Sequence, residues 1–304
     1  MAAATSTTAL VAHVDARASA LAFKALPSDE TLQALADSLV AAGEDEIASV
    51  LELVFAMPVS DFTPKALDVL SRSGSLPVIE DVDRFIALIK NPLTTSSVAR
   101  LFESAPRQSF NLITHASNTF FGENVELCVA DTLIKICAKR TRISSFTIDH
   151  TKRLLRHIET TEDSVARRGA VEILQNSSHN PVDRNVNKMI APPLLNLLKL
   201  PNAEFYENAV INTLSHKSAV FDLDTQELTF LSNKYLLPRR SDKHSTCAVV
   251  CVDMFEKLLT TGEGIKKAIT AGIMCKLAHS GIDIKLGHYS FNKQPFLFQQ
   301  VQEG

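Results

Sequence analysis

The sequence predicts an all-α protein, an α-solenoid of stacked helix pairs with a period of about forty residues. Three observations lead there. Small Ala residues recur at near-constant spacing through the second half of the chain. Apolar residues elsewhere recur at steps of three and four, the period of one helix face. The alternating β-branched runs that announce strands are missing. Composition agrees. Leu and Ala, both strong helix formers, dominate many stretches, and 45% of the 304 residues are hydrophobic, ordinary for a chain that buries a core. That length suits one extended solenoid or about two compact domains.

The repeat is read from two columns. Ala130, Ala170, Ala209 and Ala248 lie 40, 39 and 39 residues apart. Asp131, Val171, Val210 and Val249 follow them, and Ile134, Leu174, Thr213 and Val252 stand one turn on. Seven before each come Glu123, Asp163, Asn202 and Ser241, the last three being good helix N-caps. The second column is Leu154-Leu155, Leu194-Leu195 and Leu236-Leu237, spaced 40 and 42. These pairs fall in intervening helices predicted over 146–159, 186–199 and 227–237. The segment Asp163–Leu174 resembles the second helix of an armadillo or HEAT repeat, in which a polar cap precedes a Val and an Arg, then an Ala, then a Leu four residues later. Two helices per forty residues is the period of those repeats. The small Ala lets helices approach, and the Leu or Ile one turn on fills the space between them. One pair cannot bury its apolar face alone, so pairs stack. Thr213 with Asn212, and Gly169 beside Ala170, depart from the pattern.

The first third is helical but less regular. Leu32-Leu35-Leu39, Ile47-Val50-Leu51-Val54 and Val82-Phe85-Ile86-Ile89 mark helix faces. Breaks are predicted at Pro27-Ser28-Asp29, at Pro58, at Gly74 to Pro77 and at Asn91-Pro92. Ser28 should cap a helix over 29–42, with Thr31 where a capping box would place Glu. The predicted organisation is degenerate repeats over 1–116, armadillo/HEAT-like repeats over 117–280 and an extended capping tail over 281–304.

A net charge of −3 hides an asymmetry. Residues 1–90 hold 13 acids and 6 bases, whereas residues 131–200 hold 7 acids and 12 bases. Such a chain offers partners two different surfaces. It lacks the overall basicity of a general nucleic-acid binder. Five Cys (Cys128, Cys137, Cys247, Cys251, Cys275) sit in apolar helical patterns and read as reduced thiols of a cytoplasmic or nuclear protein. The first residues lack a basic start and read as a poor secretory signal. No run of about 18 apolar residues suggests a membrane span.

Chemical motifs are few. His244, Cys247 and Cys251 share a helix face at i, i+3 and i+7, where three ligands begin but do not close a metal site. A packed helix face is the favoured reading. Thr261-Gly262-Glu263-Gly264, before Lys266-Lys267, faintly resembles a phosphate loop, but one residue separates the glycines where four are needed. An interhelical turn is favoured there. No nucleophile elbow, His-Glu-x-x-His or dinucleotide-binding glycine pattern appears, so no catalytic, metal or cofactor residue is assigned. The basic cluster is the candidate site. Lys135, Lys139, Arg140 and Arg142 precede Lys152, Arg153, Arg156, Arg167 and Arg168. Arg153, Arg156, Arg167 and Arg168 are the predicted protein-binding residues, facing an acidic or carboxylate-bearing partner; a solvated helix face is the alternative reading of the cluster. Nucleic acid is disfavoured because no aromatics interleave for base stacking.

After Ala278 the chain turns extended, aromatic and Pro-containing. Leu286, Tyr289, Pro295-Phe296 and Val301 follow the order of a leucine, a tyrosine, a Pro-aromatic pair and a valine after a last helix. In that order, with about one extra residue, the tail resembles the C-terminus of the proteasome non-ATPase regulatory subunit 5 family of assembly chaperones. The resemblance implies an armadillo/HEAT solenoid without enzymatic activity. It also implies binding to the C-terminal domain of a proteasomal ATPase during assembly of the regulatory-particle base. The alternative is a solenoid adaptor or scaffold in trafficking or transport. An import groove built on stacked Trp is disfavoured, since the chain has no Trp.

Overall fold

The computed structural model describes residues 15–73, 76, 78–104, 110–138, 146–177, 184–216, 219–236, 246–280, 285–286 and 289–290. Sixteen α-helices account for most of them, so the protein is all-α as predicted. None of the described helices is long and apolar enough to cross a membrane. The chain divides into two compact units, Met1–Cys137 and Ala138–Gly304. That division falls inside the predicted 117–280 repeat block.

The first unit holds α1 (Ala16–Ala25), α2 (Asp29–Leu39), α3 (Glu44–Phe55), α4 (Phe62–Ser71), α5 (Val82–Lys90), α6 (Thr95–Ser104), α7 (Phe110–Gly122) and α8 (Leu127–Ala138), whose last residue lies at the division. Helices α1, α2 and α5 start at side-chain caps from Asp15, Ser28 and Asp81. The Ser28 hydroxyl accepts from the Thr31 amide at 3.2 Å, and Thr31 Oγ1 accepts from the Ser28 amide at 3.0 Å. Thr31 thus completes the capping box in place of Glu. Helix α2 stops at Leu39, short of the predicted 42, and Gly43 then caps α3. The helices pack in alternation: α1 on α3, α2 on α4, α4 on α6, and α5 on α7. Phe55, Phe85 and Phe102 form a buried chain of rings with centroids 6.2 and 6.4 Å apart. Ion pairs follow the same alternation on the surface, Lys65–Asp29 at 2.8 Å and Arg100–Asp68 at 2.7 Å.

The second unit holds α9 (Ile148–Thr160), α10 (Ser164–Asn176), α11 (Arg184–Leu197), α12 (Glu207–His216), α13 (Thr225–Tyr235), α14 (Thr246–Leu258), α15 (Gly262–Thr270) and α16 (Ile273–Ser280). A 3-10 turn over Ala203–Phe205 precedes α12, and another over Ala219–Asp222 follows it. Helices α9, α11 and α13 match the three predicted intervening helices to within two residues at each end. Helix α10 packs on α9 and α12, α12 on α14, and α11 on α9 and α12. Ala170, Ala209 and Ala248 are buried on α10, α12 and α14, and Ala130 is buried on α8. Thr213 is fully buried in the column despite its polarity, because its hydroxyl donates to the Ala209 carbonyl at 2.7 Å.

Two details of the predicted register are corrected. Asn202 does not cap α12. It precedes the 3-10 turn, makes no side-chain cap, and α12 begins only at Glu207. Leu236-Leu237 does not lie within the third intervening helix. Helix α13 ends at Tyr235 with Leu236 as its C-cap, and Leu228 and Leu231 fill its core face. Leu237 and Ser241 lie outside the described residues. In the predicted tail, β1 (Lys285–Leu286) pairs antiparallel with β2 (Tyr289–Ser290), Leu286 opposite Tyr289. Pro295, Phe296 and Val301 lie outside the described residues.

Candidate protein-binding surface

The four predicted arginines are carried in pairs by α9 and α10. Helix α9 starts at a capping box. The Thr147 hydroxyl accepts from the His150 amide at 3.2 Å, and His150 Nδ1 accepts from the Thr147 amide at 3.3 Å. Leu154, Leu155 and Ile158 turn the apolar face of α9 inward. Arg156 is exposed and Arg153 is half-buried, one turn apart. Burial, and then the charge of Arg156, hold the Arg153 guanidinium below its usual pKa. Arginine's intrinsic pKa is so high that it stays charged. The two guanidinium groups place positive charge on one side of α9.

Asp163 sets the start of α10 by accepting from the amides of Val165 at 2.9 Å and Ala166 at 3.0 Å. The next two arginines diverge. Arg167 is absorbed into the packing. Its Nε donates to the Ile158 carbonyl at 3.1 Å, one Nη donates to the Tyr206 hydroxyl at 3.3 Å, and the other donates to the Thr161 carbonyl. It therefore closes the C-terminal end of α9, whose last carbonyls have no helical partner. It also ties that end to the fully buried Tyr206. This geometry gives Arg167 an internal role, and it offers little to a partner.

Arg168 faces outward. Its Nε donates to Glu172 at 2.8 Å, one turn on. Its guanidinium lies 5.5 Å from the centre of the Phe205 ring, a cation–π distance. Phe205 is 40% exposed and stacks edge-on against Tyr206, 5.5 Å between centroids. Between α10 and the start of α12 opens a cleft of about 450 Å³, lined by Ser164, Arg168, Asn202, Glu204, Phe205 and Asn208. Asn202 donates from Nδ2 to the Tyr206 hydroxyl at 3.4 Å, and Asn208 Oδ1 accepts from the Cys247 thiol at 3.0 Å. Behind Asn208, Lys234 bonds Glu207 at 2.8 Å and the Leu198 carbonyl at 2.9 Å, joining α11, α12 and α13. Burial, and then the nearby Glu207 carboxylate, push the Cys247 thiol up, and burial pushes Cys251 well up. Both thiols are therefore protonated and unreactive near neutrality.

Bases beyond the 131–200 stretch also serve the fold. Lys257 donates to the Ser215 carbonyl at 3.3 Å, and Lys267 donates to the carbonyls of Phe221 at 3.0 Å and Leu223 at 3.1 Å. Lys139, Arg140, Arg142 and His244 lie outside the described residues. Cys247 and Cys251 are buried on α14, and among the described residues no group of three or more His, Cys, Asp or Glu is placed to hold a metal. Gly262 and Gly264 form the first turn of α15. The Thr261 hydroxyl accepts from the Gly264 amide at 3.0 Å. A Cβ at Gly264 would collide with the Leu258 carbonyl, so this glycine serves the close approach of α15 to the end of α14.

The sequence reading did not single out Phe205, Tyr206, Asn208 or Glu204. Their signal is the repeat itself. Arg167 meets Tyr206 across 39 residues, and Asn208 meets Cys247 across 39. No family model matches the chain, and no curated protein matches it in sequence.

Proposed function

We propose that the chain is a protein-binding α-solenoid of armadillo/HEAT-like repeats with no catalytic role of its own. One observation carries this reading. Ala170, Ala209 and Ala248, spaced 39 residues apart, are buried on α10, α12 and α14, which pack in that order. A repeated small residue on successively stacked helices is what a solenoid needs. Such a stack presents one helix of each repeat as an extended binding face. Here α9 and α10 bring Arg153, Arg156 and Arg168 to the surface, and Phe205 lies beside Arg168. Arg and aromatic side chains are the usual energetic anchors of interfaces. The partner is a protein with an acidic surface, met in the cytoplasm or nucleus, where five free thiols stay reduced.

The likeness of the tail to the non-ATPase subunit 5 family gives this reading its specific form, a chaperone for assembly of the proteasome regulatory-particle base. An adaptor in trafficking or transport is the alternative. Purified C-terminal domains of the proteasomal ATPases, each mixed with the full chain at low salt, separate the two. Binding to one of them is expected. If none binds, the chaperone form is removed and the adaptor reading stands.

A further inference from the structure

We propose that the cleft between α10 and the start of α12 docks an extended peptide segment with an acidic side chain beside an apolar one. The inference rests on the protein-binding reading and names the chemistry of what is bound.

The acidic side chain belongs on Arg168. Only Nε of its guanidinium is engaged, by Glu172. The Nη hydrogens have no partner among the described residues and form the edge that pairs with a carboxylate in two parallel bonds. Glu172 and the Phe205 ring already hold this side chain in place, so little rotamer freedom is lost when a ligand arrives. The apolar neighbour belongs on the exposed part of Phe205, which lines the same cleft.

The remaining lining suits a polypeptide backbone. A backbone alternates donors and acceptors. Ser164 supplies a hydroxyl that does either. Asn208 uses its Oδ1 on Cys247 and keeps its Nδ2 hydrogens, whereas Asn202 uses Nδ2 on Tyr206 and keeps its Oδ1. The cleft therefore offers both kinds of group beside one cation.

Other occupants fit less well. Glu204 shares the cleft with its single arginine, so a phosphate dianion would bring two negative charges where the one remaining guanidinium edge of Arg168 matches a single carboxylate. A basic segment would leave Arg168 facing a like charge.

The test uses the full chain and pools of fluorescein-labelled octapeptides. In each pool one central position is fixed as Glu, Gln, Lys or Leu and the rest are randomised. Fluorescence polarisation should show the Glu pool binding roughly tenfold or more tighter than the Gln pool. Arg168→Gln should abolish that preference while leaving helicity and Tm unchanged, because Arg168 is exposed. Phe205→Ala should weaken binding of the Glu pool. Lys65→Gln, on α4 in the first unit, should leave the preference in place. The proposal is overturned if no pool binds, if Glu and Gln pools bind alike, if the preference survives Arg168→Gln, or if millimolar inorganic phosphate displaces the peptides. A chain that fails these pools yet still binds a protein partner loses the cleft assignment and keeps the protein-binding reading.

Discussion

At the scale of single residues, one sequence feature divides between the packed interior and the surface. Arg167 and Arg168 are neighbours of the same type, yet one closes a helix end and the other lines a cleft. Local sequence does not separate them, because their partners Tyr206 and Phe205 lie more than thirty residues away. His150 is a second residue whose role depends on a precise atom. Its Nδ1 caps α9 by accepting from the Thr147 amide. A protonated imidazole has no lone pair there and cannot accept. Burial, opposed by Asp149 and assisted by Arg153, lowers its pKa below the ordinary 6.5. The unfolded chain then binds this proton more readily than the folded one. The stability His150 contributes is complete above pH 6.5 and is lost as pH falls through the lowered folded value. Thermal melts at pH 7.5 and 5.5 should therefore show a smaller acid-induced drop in Tm for His150→Gln than for the natural protein, since Gln keeps an acceptor that does not titrate. Equal drops in the two proteins would remove His150 as the source.

At the scale of elements, the capping box of α2, the three intervening helices and the buried Ala column were all legible, because caps and apolar periods are local signals. The start of α12 and the end of α13 were not. The stretch after α11 spends residues 198–206 on turns and a 3-10 segment, so the cap expected at Asn202 arrives too early for α12. Forty-residue spacing fixes an average period but not the length of each connection. The Ala column makes its own prediction. Ala170 is fully buried on a helix that packs on both α9 and α12, so Ala170→Leu should cost about 1–3 kcal/mol through overpacking. Coupling should follow the stacking order. Ala170→Leu with Ala209→Leu disturbs one α10–α12 interface twice and should depart from additivity by about 0.5 kcal/mol or more. Ala170→Leu with Ala248→Leu should add to within about 0.5 kcal/mol, since α10 and α14 each pack on α12. Urea denaturation of the three single and two double mutants measures both terms. Strong coupling between positions 170 and 248 would contradict nearest-neighbour stacking.

At the scale of the whole molecule, charge is the property that composition reveals and fold refines. The net −3 combines an acidic first third with a basic middle. Part of that basic charge is spent inside the protein, where Arg167 bonds carbonyls at the end of α9. What remains outside is smaller but better placed. Arg156 projects from α9 one turn beyond Arg153, and after burial its charge is what weighs on the Arg153 guanidinium. A partner carboxylate beside the exposed Arg156 would be attracted to both charges, which is the physical reason to expect an acidic partner surface here. Long-range attraction of this kind acts mainly on the rate of encounter and is screened by salt. The double variant Arg153→Glu with Arg156→Glu should therefore slow association with the partner severalfold at low salt and flatten its dependence on ionic strength. Dissociation should change less. The fold should persist, because Arg156 is exposed and surface charges contribute only about 0–1 kcal/mol each. Circular dichroism checks the fold, and surface plasmon resonance across a salt series separates the two rates. Arg167→Glu is the internal contrast, since it should lower Tm by breaking the closure of α9. If the Arg153/Arg156 variant associates as fast as the natural chain at low salt, this part of the basic surface is only a solvated helix face, and recognition lies elsewhere on the stack.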